Sequence, residues 1–211
     1  MRILSITRIS GKSEKFCAAF DDGAEIRVSA AQIADYNLYS GRELSDSEYD
    51  DLSCALQLSS SKAHAIRILG SRNLSSAEIS KRLVSRGIDA AVAGETVEWL
   101  EDVGAVDDAG YASLIVNHYI SKGYGLARIR DELFRRGIPR DLWDDALASA
   151  DGFNEAALGF LEKKLHGTSE KDELRKAAEA LRRRGFSYSE ASEAISNYLE
   201  NLESEQRLSD R

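Results

Sequence analysis

The side chains that could hold a metal, attack a carbonyl or move a proton are few in this chain, and their spacing argues against all three uses. His64, His118 and His166 stand far apart, none with a second histidine three or four residues on, so no helix carries a metal-binding pair. Cys17 and Cys54 form no Cys-x-x-Cys unit, and both read as small buried hydrophobes in a reducing compartment. The acidic pairs Asp21-Asp22, Asp107-Asp108 and Asp144-Asp145 suit turns and helix caps. No phosphate-cradling Gly-x-x-x-x-Gly-Lys-Ser/Thr loop and no Gly-x-Ser-x-Gly elbow occurs. These residues predict a protein that is not an enzyme and carries no metal or cofactor.

The cations are grouped more tellingly. Lys81, Arg82 and Arg86 form one cluster. Arg128, Arg130, Arg135 and Arg136 form a second, with Lys122 and Tyr124 just ahead of it. Arg175, Lys176, Arg182, Arg183 and Arg184 form a third. Cations at the end of a helix complement its dipole and free carbonyls, which accounts for Arg86, Arg136 and Arg184 about as well as a partner does. It does not account for Arg128, Arg130 or Arg182. Basic ridges at regular intervals suit a periodic partner with acidic or phosphate-bearing surfaces. Lys122-Gly123-Tyr124-Gly125 reads either as a helix-to-helix turn with Tyr124 packed beneath it, or as an exposed aromatic anchor beside cations.

The elements that carry these clusters repeat. Leu83-Val84-Ser85-Arg86-Gly87-Ile88, Leu133-Phe134-Arg135-Arg136-Gly137-Ile138 and Leu181-Arg182-Arg183-Arg184-Gly185-Phe186 follow one another at intervals of 50 and 48 residues. Each predicts a helix closed by a left-handed glycine, with the apolar residue beyond it folding back onto the leucine, a Schellman motif. Asp89, Pro139 and Ser187 then start the next helix. A further helix precedes each motif, near 62–69, 109–121 (capped by Asp108) and 154–165. Trp99 and Trp143 fall on third helices, as packing residues.

Ahead of the repeats, alternation in 2–9, with a slip near its end, and the Asp21-Asp22-Gly23 turn between 16–20 and 24–28 predict three short antiparallel strands. Ala30 to Tyr36 suits a short helix. Ser45-Asp46-Ser47-Glu48 is a capping box that starts another helix. Ser59-Ser60-Ser61 is either its end or a polar stretch within it.

The predicted fold is mainly α, an elongated tandem array of three-helix repeats behind a small three-stranded β region. The expected divisions are 1–28 (β), 29–59 (linking helices), 60–107, 108–151 and 152–202 (repeats), and 203–211 (a polar tail). One proline among 211 residues is too few for a β-sandwich. A net charge of −8 argues against indiscriminate polyanion binding by the whole surface. No apolar run approaches a membrane span, and the expected setting is cytoplasmic.

The run from Lys122 to Ile138, with Gly110-Tyr111-Ala112 upstream and the stretch Ser75 to Leu83, resembles the RecX family of bacterial regulators of the RecA recombinase. The likeness spans residues 60–202. Residues 1–59 share only its general layout, and Ala177 stands where the other two units have Ile79 and Ile129. The expected state is a monomer, and the resemblance implies binding of the RecA filament on single-stranded DNA. It also implies inhibition of that filament by blocked growth or promoted disassembly, which restrains recombinase, ATPase and co-protease activity; a weak, secondary direct contact to DNA is a further expectation. The alternative is a stand-alone DNA-binding protein built from helix-turn-helix-like units.

Overall fold

The computed structural model describes residues 1–9, 15–70 and 72–209, in two compact units. One comprises Met1–Gly70 with Leu83–Thr96, and the other holds the rest of the described chain. The first opens with β1 (Ile3–Arg8), β2 (Lys15–Phe20) and β3 (Glu25–Ser29), an antiparallel sheet in sequence order. Gly23, at φ +87°, closes the β2–β3 turn, and the Asp22 carboxylate accepts the Ala24 amide at 2.9 Å. The irregularity in β1 lies between Ile3 and Ser5, at the opposite end from the slip expected near Ile9. It lets Ile3 and Ile6 both face inward and leaves Leu4 59% exposed, because a bulge resets which face successive side chains take.

Ile3, Ala18, Phe20 and Val28 of the sheet pack on Leu38, Leu44 and Leu52. The last belongs to α2 (Asp46–Leu69), which follows the short α1 (Ala30–Asp35). The Ser45 capping box is formed: its hydroxyl accepts the Glu48 amide while Glu48 accepts the Ser45 amide at 2.8 Å. α2 runs without a break through Ser59-Ser60-Ser61. Ser61 is buried there, with Thr96 Oγ1 2.7 Å from its hydroxyl, so a polar residue inside the helix is satisfied by a side chain.

The remaining helices are α3 (Ser76–Val84), α4 (Ala90–Asp102), α5 (Asp108–Ser121), α6 (Leu126–Arg135), α7 (Trp143–Ala148), α8 (Phe153–Leu165), α9 (Lys171–Arg183) and α10 (Tyr188–Ser209). A 3-10 turn, Arg140–Leu142, leads into α7. The cap of α5 is Asp107, which accepts the Gly110 amide at 2.9 Å, and not the expected Asp108. Asp108 accepts instead from the amide and hydroxyl of Ser76, at 2.9 and 2.5 Å.

All three repeat motifs close as Schellman turns. The amides of Ile88, Ile138 and Phe186 donate to the carbonyls of Leu83, Leu133 and Leu181 at 3.2, 3.0 and 3.2 Å. Two apolar clusters follow in the second unit. α5, α6 and α7 contribute Val116, Ile129, Leu133 and Ala146 to one, and α8, α9 and α10 contribute Leu161, Leu181, Ala194 and Tyr198 to the other.

The repeat glycines differ in surroundings. A Cβ on Gly87 would meet nothing within 4 Å, one on Gly137 would lie 2.7 Å from Ala77 Cβ, and one on Gly185 would lie 2.5 Å from the Arg128 amide nitrogen. Gly87→Ala is therefore expected to lose about 1 kcal/mol, the cost of the left-handed region for a side chain. Gly137→Ala and Gly185→Ala should lose distinctly more, Gly185→Ala most, because backbone cannot yield as a side chain does. Urea denaturation of the three variants checks this, and equal losses would refute it.

Candidate partner-binding face on the second helices

α6 forms because Ile129 and Leu133, one helical turn apart, are fully buried while Arg128, Arg130, Phe134 and Arg135 face water. Its first residue follows Gly125, which offers no side-chain cap. The free amides at this helix start are met from the next repeat: Gly125 N–H donates to the Arg184 carbonyl and Ala127 N–H to the Gly185 carbonyl, both at 3.0 Å. A Cβ on Gly125 would lie 2.5 Å from the Gly185 carbonyl carbon, so the two backbones touch directly.

The same joint occurs one repeat earlier. Ser75, fifty positions before Gly125, donates its hydroxyl to the Arg136 carbonyl, and Ala77, fifty before Ala127, lies against Gly137. In both joints the C-terminal turn of one second helix docks on the N-terminal turn of the preceding one. At the later joint carbonyls face amides, and at the earlier one the Ser75 hydroxyl meets the carbonyl; in both, the negative end of one helix lies by the positive end of another.

The arginines next to these glycines serve the joints. Arg184 Nη1 donates to the carbonyls of Lys122 and Gly123 at 2.8 and 3.1 Å, and its guanidinium lies over Phe160 at 4.3 Å and Tyr124 at 5.1 Å. Tyr124 in turn packs on Tyr119, ring centroids 5.3 Å apart, and so lies beneath the turn as one of its two readings expects. Arg136 binds Glu132 at 2.8 Å and donates to the Tyr111 hydroxyl.

Glu132 is 3% exposed. Burial pushes its carboxyl upward, but hydrogen bonds from Arg135, Arg136 and Tyr119 outweigh that and hold it at about 2. Burial also raises the hydroxyls of Tyr111 and Tyr119.

The other cations point elsewhere. Arg86, Lys122, Arg128, Arg130, Arg182 and Arg183 are exposed, and among the described residues their side chains enter no ion pair. Arg135 is exposed but bonded to Glu132, Lys176 is exposed and pairs with Glu173 at 2.8 Å, and Arg82 is half-buried. Phe134, not singled out by its sequence context, is 67% exposed on α6 near Arg130. Its position next to Leu133, one step off the Ile129–Leu133 stripe, was the available signal.

Trp143 packs half-buried on the α5–α7 cluster and donates to the Ile138 carbonyl at 3.0 Å. Cys54 is exposed, contrary to expectation, because it lies on the outer side of α2, while Cys17 is half-buried. Among the described residues no group of three or more His, Cys, Asp and Glu is placed to hold a metal ion, and no helix is long and apolar enough to cross a membrane.

Residues 107–147 match the family model described as RecX, second three-helix domain. The chain is 35% identical over 125 residues to the regulatory protein RecX of Xanthomonas campestris pv. campestris (strain B100), covering 58% of this chain and 77% of that one. It is 33% identical over 141 residues to the regulatory protein RecX of Vibrio campbellii (strain ATCC BAA-1116), covering 65% and 90%. A crystal structure of a regulatory protein RecX superposes with a TM-score of 0.73 at 22% identity, covering 93% of this chain and 98% of that one, a likeness of fold. RecX from Lactobacillus salivarius gives 0.63 at 23% identity, over 68% and 97%.

The Glu132 network makes stability depend on acid. The carboxyl is lowered in the folded state, so its contribution is full above its unfolded value of about 4.3 and is lost as pH falls toward 2. Glu132→Gln is expected to lose on the order of 2 kcal/mol at pH 7, with a smaller gap from the parent at pH 3. Denaturation curves at both pH values check this, and a gap independent of pH would contradict it.

Proposed function

The chain belongs to the RecX family, and from that membership we propose that it regulates RecA by binding the filament that RecA forms on single-stranded DNA. Binding blocks filament growth or promotes disassembly, which lowers recombinase, ATPase and co-protease activity. The family relationship supports the partner. One observation supports the mode of contact: Arg128 and Arg130 on α6, and Arg182 and Arg183 on α9, are exposed and without ion pairs among the described residues.

Those two helices are joined through backbone hydrogen bonds at Gly125 and Gly185, so their cations are held at a fixed interval. A fixed interval favours a partner whose acidic groups also recur, because little order is lost on binding. Phe134 adds a large apolar side chain among these cations, the combination found at the centre of protein contacts. Arg136 and Arg184 act on this reading by holding the helices, not by touching the partner.

RecA ATPase on single-stranded DNA, measured with and without the protein, tests the proposal. The parent should inhibit, and inhibition should weaken as salt rises. Arg128→Ala with Arg130→Ala, Arg182→Ala with Arg183→Ala, and Phe134→Ala should each raise the concentration for half inhibition by about fivefold or more. Their melting temperatures should stay near the parent's, since exposed side chains contribute little to folding. No inhibition by the parent would overturn the assignment. Parental inhibition by all three variants would overturn the proposed face.

A further inference from the structure

The β-sheet unit contains a second concentration of positive charge. A cleft of about 450 Å³ opens between the start of β2, the edge strand β3 and the C-terminal half of α2. Lys15, Arg27 and Arg67 border it, together with His64 and the hydroxyls of Ser59 and Ser60. Among the described residues no carboxylate lines it, in a chain with 36 acids against 28 bases.

Charge is segregated along α2 in the same sense. Its first turns carry Asp46, Glu48, Asp50 and Asp51, whereas Leu56 to Leu69 contains no acid. Glu25 of β3 is engaged by the Cys17 thiol at 3.7 Å, and Ser29 and Gln32 are bonded to each other in the cap of α1. Among the described residues Lys15, Arg27 and Arg67 enter no ion pair, and the Nδ1 of His64 is buried without a partner.

Three cations around a concave volume repel one another until an anion joins them, and the low-dielectric walls strengthen its attraction. The donors come from opposite walls, Arg27 from the sheet and Arg67 from the helix. A tetrahedral phosphate offers oxygens in several directions, which suits donors on opposite walls with the serine hydroxyls and Lys15 beside them. A planar carboxylate has only two oxygens to share. We propose that this cleft binds phosphate groups, supplied either by a free phosphate compound or by the backbone of a nucleic-acid strand. The inference does not depend on the filament reading, because its test contains no RecA.

The full chain is titrated with sodium pyrophosphate by calorimetry and, separately, with a short fluorescein-labelled oligothymidylate by anisotropy at low salt. At least one probe should bind. Arg27→Glu and Arg67→Glu should each weaken that binding by about tenfold or more, as loss of a charged hydrogen bond requires. Arg207→Glu, the same charge change near the end of α10, should leave it unchanged. Melting curves like the parent's show that the variants are folded. Arg67→Ala should give a smaller loss in the same direction.

Pyrophosphate that binds and displaces the oligonucleotide identifies a free phosphate compound as ligand. An oligonucleotide that binds where pyrophosphate does not identifies the strand backbone. Absence of binding by both probes, or binding that Arg27→Glu and Arg67→Glu leave unchanged, would overturn the proposal.

Discussion

Between Gly125 and Gly185 two backbones approach so closely that a single added carbon on either would sit 2.5 Å from the other chain segment. The contact lets two carbonyls at the end of α9 meet two amides at the start of α6. A helix start without a side-chain cap is thereby satisfied by the next repeat, and a helix end is satisfied by the one before. Neither repeat can shift along the other without exposing these groups, so the second helices keep their spacing. Arg184 reinforces the joint through two carbonyls and two aromatic rings.

This division of labour sorts arginines that look alike in sequence. Within the run Arg182-Arg183-Arg184, the last is turned into the molecule and the first two remain in solvent. Within Arg135-Arg136, both meet Glu132, but only Arg136 continues to Tyr111. A buried carboxylate is costly unless its charge is met by donors, and here two guanidinium groups and a tyrosine meet it. The result is a support that leaves Arg128, Arg130 and Phe134 facing solvent.

The Schellman turns were legible because they are written in adjacent residues: a leucine, a glycine and an apolar residue at fixed offsets determine the bonds. The Ser45 capping box and the Asp-Gly hairpin were legible for the same reason. The joints were not, because Gly125 and Gly185 are sixty residues apart and no local rule distinguishes a glycine that turns from one that admits another backbone. Asp107 and Asp108 were equally good caps in sequence, and only the approach of Ser76 decided between them. The shift of the bulge in β1 has a similar cause, since Ile3 faces inward by packing with Phe20 and Leu52 rather than by alternation. Among the cations, Arg136 and Arg184 beside their glycines serve joints, while Arg86 beside Gly87 stays in solvent, so position next to the glycine did not separate the two by itself.

Amide hydrogen exchange at the joint measures its contribution most directly. Amides in the first turn of a helix ordinarily exchange fast, for want of an acceptor within the helix. If the head-to-tail bonds hold the second helices together, the amides of Gly125 and Ala127 should be protected nearly as well as that of Leu133 in the middle of α6. Gly185→Ala should release both while leaving Leu133 protected. Exchange of Gly125 and Ala127 in the parent protein at the rate of an open helix end would contradict the account.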